Sequence, residues 1–279
     1  MRCPPLLAAL AVLALAGAPA SSPKPVAMDF HTGGNLIVLS REGEVDAYDA
    51  LSGQRLRSFD IAPYIRPSDV VSVKLANAET IFVSGFYGRQ SVVLQYSADG
   101  KLLDRFNVPD LASGTDVDGD HRILYTATPA RTVYKVALDE KPRKPRLLAY
   151  VGPAKTLGAV IYDPPRQRLI VADAQAGMLY AIDCRTGSYA PLASGFDRPV
   201  AMAFDPAFTT LYVADLEQGK IHILKISPAR PQKTFTTSLR DLAAIARSPR
   251  PDTLFIADEK QGIFLFSTST GTRTPIAGR

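Results

Sequence analysis

The stretch LYVADLEQGKIHILKI (residues 211–226) joins an apolar run ending in Val213-Ala214-Asp215 to a polar turn closing on Gly219 and a second apolar run. Near-copies begin at Leu169 (LIVADAQAGMLYAIDC) and at Leu254 (LFIADEKQGIFLFSTS). Their aspartates, Asp173, Asp215 and Asp258, provide a register. Counting backwards, LYTATP puts Thr128 at that place, IFVSGF puts Gly85 and LIVLSR puts Ser40, with successive spacings of 45, 43, 45, 42 and 43 residues. A unit of this length, written six times, points to a propeller or another repeat architecture.

Each unit reads alike. In the fifth, VAMAF (200–204) is a short apolar run, Asp205-Pro206 starts a turn, LYVAD is a second run and LEQG a tight turn. KIHILKI follows, then the Pro-rich SPARPQ and the more polar KTFTTS. Short runs rich in Val, Ile, Tyr and Phe, bounded by Gly, Pro and Asp, are antiparallel strands. The expected fold is all-β, a six-bladed β-propeller with four antiparallel strands per blade. The expected domain covers 24–279, with units at approximately 26–61, 70–108, 113–152, 157–195, 199–239 and 242–279. The first unit opens on an inner-strand pattern, Val26-Ala27-Met28-Asp29-Phe30, and the last closes on an outer-strand pattern. Each blade is therefore expected to be contiguous, with no strand exchanged between the chain ends.

The 279 residues are 46% hydrophobic and 21% charged, enough to bury a core and too apolar for a disordered chain. Residues 1–20 read as a secretory signal peptide: Arg2, the apolar stretch Leu6 to Gly17, and Ala18-Pro19-Ala20 for cleavage. The protein is expected to be exported, secreted or periplasmic. No other run approaches the ~18 apolar residues of a membrane-spanning helix. Cys184 is then the one remaining cysteine, without a partner for an internal disulfide, and reads as a partly buried thiol.

The phrase RPVAMAFDPAFTTLYVADLEQGKIHIL resembles NHL-type repeats, and more widely the senescence-marker-protein/gluconolactonase group of TolB-like propellers. The resemblance covers all six units, most closely units four to six, and carries the fold. It also implies a test for lactonase chemistry, because those enzymes hold a divalent metal near the propeller axis. Their ligands are a Glu in the first blade and Asn or Asp where inner strands begin. Here Val200, Gly158 and Ala243 occupy those places, and Lys24-Pro25-Val26 stands before the first strand, with Asp241 and Asp69 near but out of register. A metal-dependent lactonase with displaced ligands is thus the alternative reading, not the leading one.

The recurring aspartates have two readings. Each could accept backbone N–H groups of its own turn, or Asp173, Asp215 and Asp258 could together hold Ca²⁺ or another divalent ion. Otherwise no cofactor is expected. Lys74, Asp116 and Arg247 are charged places on inner strands and candidates to line the channel. Counted back from the register residue, Lys74 and Arg247 fall level with Tyr162 and Phe204, and Asp116 level with Ile161 and Ala203. The histidines, His31, His121 and His222, form no zinc-like spacing.

The net charge is +5. Arg143, Lys144, Arg146, Arg166, Arg168, Arg230 and Arg250 come from four turns that a propeller places on one face. These read as exposed cations that could meet an anionic polymer or other anionic ligand, a membrane surface or an acidic protein, and reversing Arg143, Lys144 and Arg146 to Glu would leave the fold intact. Nucleic acid is not expected. The expected function is that of an exported, monomeric, non-catalytic propeller binding a ligand or protein partner through its loop faces.

Overall fold

The computed structural model describes residues 24–30, 35–61, 63–66, 69–88, 90–120, 122–217 and 219–276. The expected signal peptide, His31, His121 and the chain's last three residues lie outside these. Blade one comprises β1 (Pro25–Phe30), β2 (Asn35–Ser40), β3 (Glu44–Asp49) and β4 (Arg55–Asp60). Blade two comprises β5 (Val70–Asn77), β6 (Thr80–Tyr87), β7 (Gln90–Ser97) and β8 (Leu102–Val108). Blade three has β9 (Gly114–Asp118), β10 (Ile123–Ala127), β11 (Thr132–Ala137) and β12 (Arg146–Tyr150). Blade four has β13 (Leu157–Asp163), β14 (Arg168–Asp173), β15 (Met178–Asp183) and β16 (Tyr189–Ser194). Blade five has β17 (Pro199–Phe204), β18 (Thr210–Asp215), β19 (Lys220–Ile226) and β20 (Ala229–Thr236), and blade six β21 (Leu242–Arg247), β22 (Thr253–Asp258), β23 (Gly262–Ser267) and β24 (Arg273–Pro275). Every sheet keeps sequence order and every pairing is antiparallel. Among the described residues, no helix is long and apolar enough to cross a membrane.

Why the second strands read as unbroken apolar runs is visible in β14. Leu169 and Val171 pack toward blade three, with Tyr125 and Val133. Ile170 and Ala172 point the other way and pack toward blade five, with Met202 and Val213. Side chains still alternate, but both faces of the sheet are covered, so neither set can be polar. The core is accordingly divided into six apolar layers, one between each pair of neighbouring blades. Outer strands face water, and β20 is exposed along most of its length.

Ring closure needs no exchanged strand. Phe30, Leu36 and Val38 of blade one bury against Phe255, Ala257 and Ile263 of blade six. Arg41 of the first blade and Glu259 of the last form an ion pair across the same seam.

The turn in the repeated phrase depends on glycine. Gly177, Gly219 and Gly262 sit at φ +62°, +57° and +94°. A Cβ on Gly219 would run into the carbonyl oxygen of Leu239. Gly219→Ala is therefore expected to lose about 1–3 kcal/mol, read as a lower urea midpoint. An unchanged midpoint would mean that the turn tolerates a side chain.

Candidate functional site

The three phrase aspartates are each wholly buried. Asp173 Oδ2 accepts the Lys155 N–H at 2.6 Å, and its Oδ1 accepts those of Thr156 (3.1 Å), Gln175 (3.2 Å) and Ala176 (3.0 Å). Asp258 does the same for Asp241, Lys260 and Gln261. Asp215 accepts from Asp197 and Arg198, both at 2.7 Å. Each carboxylate thus ties the loop entering its blade to the end of its second strand, and in Asp173 and Asp258 to the following turn as well. No three His, Cys, Asp or Glu side chains gather into a metal-sized group among the described residues.

Asp215 has a further partner that sequence reasoning missed. His222 Nε2 lies 3.2 Å from Asp215 Oδ2, while its Nδ1 lies 3.1 Å from Thr234 Oγ1. The signal was present: Asp215 pairs with Lys220, and His222 is two residues further on the same face of that strand. Burial works to raise the Asp215 carboxyl, but His222 and the Arg198 and Asp197 N–H groups outweigh it and hold it below the usual range. A depressed folded value adds stability above the ordinary carboxylate value of about 3.9, lost as pH falls through the folded one. The stability gap between wild type and Asp215→Asn should therefore narrow below about pH 4 in acid denaturation series. A gap independent of pH would refute the charged role.

The six inner strands enclose a central channel. At the end where those strands begin, Val26, Val71, Ala159, Val200 and Ala243 leave a space of about 80 Å³. Val200 and Ala243 are the places where a lactonase would carry ligands, and neither offers a donor atom. At the other end, on the side of the turns that carry the basic residues, the channel widens to about 150 Å³. Asp29, Lys74, Asp116 and Arg247 line this cavity, together with Ile161, Met202, Phe204 and Phe208.

The strand pairings correct the expected register. Lys74 pairs with Phe82, Asp116 with Tyr125, Ile161 with Ile170 and Ala203 with Tyr212. Lys74 is therefore level with Asp116, not with Tyr162 and Phe204, because it stands eight positions from its partner Phe82, where Asp116, Ile161 and Ala203 each stand nine from theirs. Arg247 pairs with Leu254 and does stand level with Phe204, which pairs with Leu211. Asp29, not singled out in the sequence, pairs with Ile37 and joins the Lys74 level.

Polar contacts knit this ring. Asp29 Oδ2 accepts the Leu75 N–H at 2.8 Å and Asp116 Oδ2 the Tyr162 N–H at 2.6 Å, each reaching the inner strand of the next blade. Lys74 Nζ lies 3.6 Å from Asp116 Oδ1, with the two side chains 17% and 15% exposed. Burial opposes the Lys74 ammonium, but Asp116 and then Asp29 overcome it and hold Lys74 above its ordinary value. Burial pushes Asp116 up, Lys74 draws it back and Asp29 adds to the rise. Arg247 Nε donates to the Phe30 carbonyl at 3.4 Å, and its guanidinium carbon lies 6.0 Å from the Phe30 ring centre.

Five of the seven expected surface cations are already engaged. Arg166 and Arg168 both pair with buried Asp163, at 3.0 and 2.9 Å. Arg146 pairs with Glu140, and Arg250 donates to the Leu51 carbonyl. Arg143 is 5% exposed, 3.2 Å from Asp104, bonded to Gln95 and stacked over Phe106. A glutamate there would bury against Asp104, so the expectation that reversing Arg143 spares the fold does not hold. Lys144 and Arg230 are exposed. The Cys184 thiol is free, and burial pushes it up to about 11, which leaves it protonated and unreactive at neutral pH.

No family model matches the chain, and no curated protein matches it. The chain is similar to the crystal structure of the RRP9 WD40 repeats, with a TM-score of 0.66 and 13% identity over 89% of this chain and 77% of that one. Likeness at that identity concerns the propeller fold alone.

Proposed function

We propose that the protein is an exported, non-catalytic propeller that binds a small ligand in the wide end of its central channel. The observation that carries this reading is Arg247. It faces a cavity of about 150 Å³, and no carboxylate among the described residues pairs with it. Concave, mostly apolar spaces with a few convergent polar groups are the usual form of small-molecule sites. The scaffold relation to NHL-type repeats belongs to the same reading, and so does export, which rests on residues 1–20.

A fragment screen followed by backbone NMR tests the binding site. Shifts should cluster on β1, β5, β9, β13, β17 and β21 at the Arg247 end. Shifts confined to other loops would remove the channel from consideration. N-terminal sequencing of protein from a secreting host should begin near Ser21, and an intact Met1 would overturn export.

A further inference from the structure

We infer that the cavity selects a small amphipathic monocarboxylate, with its carboxylate on Arg247 and its apolar part against blades four and five. This rests on the channel being the binding site. Around the ring the cavity has two unlike arcs. Arg247, Asp29, Lys74 and Asp116 come from blades six, one, two and three, and alternate in sign. Blades four and five contribute Ile161, Met202, Phe204 and Phe208, with the two phenylalanine rings 5.3 Å apart.

Three of the four charges are committed to the fold. Lys74 answers Asp116, and each aspartate accepts a backbone N–H from the next blade. Arg247 spends only its Nε, on the Phe30 carbonyl. Its two terminal nitrogens bond no acceptor among the described residues, and a guanidinium presented this way matches a carboxylate with two parallel hydrogen bonds. Charge sets the valence. With Asp29 in the neighbouring blade and Asp116 across the channel, one free cation among the described residues accommodates a monoanion, whereas a dianion would meet repulsion from both carboxylates. The apolar arc adjoins Arg247 and adds burial at roughly 25 cal/mol per Å² of tail.

Calorimetric titration of the full chain with phenylacetate, phenylacetamide and phenethylammonium tests this, with NMR reporting the location. Phenylacetate should bind in the cavity about tenfold or more tighter than the amide or the amine. Arg247→Gln should weaken phenylacetate by a similar factor, with Arg247→Lys in between. Lys144→Gln/Arg230→Gln, on the exposed surface, should leave it unchanged. Far-ultraviolet circular dichroism verifies that each variant is folded, and if Arg247→Gln fails to fold, the Arg247→Lys comparison carries the test. Equal binding of the amide or amine, or indifference to Arg247, overturns the inference while leaving the channel site standing. No cavity shift with any probe overturns both. A peptide with a C-terminal phenylalanine that binds tighter than phenylacetate would assign the carboxylate to a protein partner and overturn the small-molecule source.

Discussion

Asp173→Ala is expected to lose about 3–4 kcal/mol of stability. Its side chain is wholly buried and receives four backbone N–H groups from two separate loops. A hydrogen bond to a charged acceptor contributes about 1.5–3 kcal/mol, and a buried donor left unpaired costs a comparable amount, partly relieved if water enters. Asp173→Asn should lose less, about 2 kcal/mol, because one oxygen still accepts while the new amide confronts N–H donors. Urea denaturation with an unchanged slope reads the difference. A loss below about 1 kcal/mol would show that the loops hold without the carboxylate.

Lys74→Met should be comparably damaging, at about 2–4 kcal/mol, because it leaves Asp116 and Asp29 in one mostly buried cavity without their cation. Adding Asp116→Asn should recover at least half of that loss. The Asn oxygen can still accept the Tyr162 N–H, and the uncompensated charge is gone. The raised Lys74 value means that its contribution is complete below the ordinary lysine value of about 10.4, and fades as pH rises through the folded value. The gap between wild type and Lys74→Met should thus be flat from about pH 6 to 9 and close only in strong alkali. A double variant less stable than the single one would deny the pairing.

The features that could be read from the chain are those that repeat. A blade's second strand is buried on both faces, so it writes an unbroken apolar run such as Leu169 to Ala172. Its turn closes on a left-handed residue, glycine at Gly177, Gly219 and Gly262 and Arg131 in blade three. These are local requirements met once per blade, which is why spacing alone revealed six units of four strands. The caps by Asp173 and Asp258 follow in part from the same locality, since Gln175, Ala176, Lys260 and Gln261 are near neighbours in sequence. The other half of each cap, the loop entering the blade, lies 17 or 18 residues away and was not legible.

What the ring assembles across blades had no local signature. Counting from Gly85 misplaced Lys74 because its separation from its partner Phe82 is one position shorter than the corresponding separations in blades three to five, and the levels of inner-strand side chains depend on that separation. Arg143 looked like a turn cation, yet it is covered by Phe106 and Asp104 of the preceding blade. The meeting of Asp29 with Lys74, of Lys74 with Asp116, and of Arg247 with Phe30, requires residues 42 to 217 apart in sequence to face a common axis. Sequence by itself determined the repeat, the strands and their turns, because strand periodicity and turn chemistry act over a few residues. Only the closed ring decided which charges share the channel, because that follows from the packing of six apolar layers and not from any one blade.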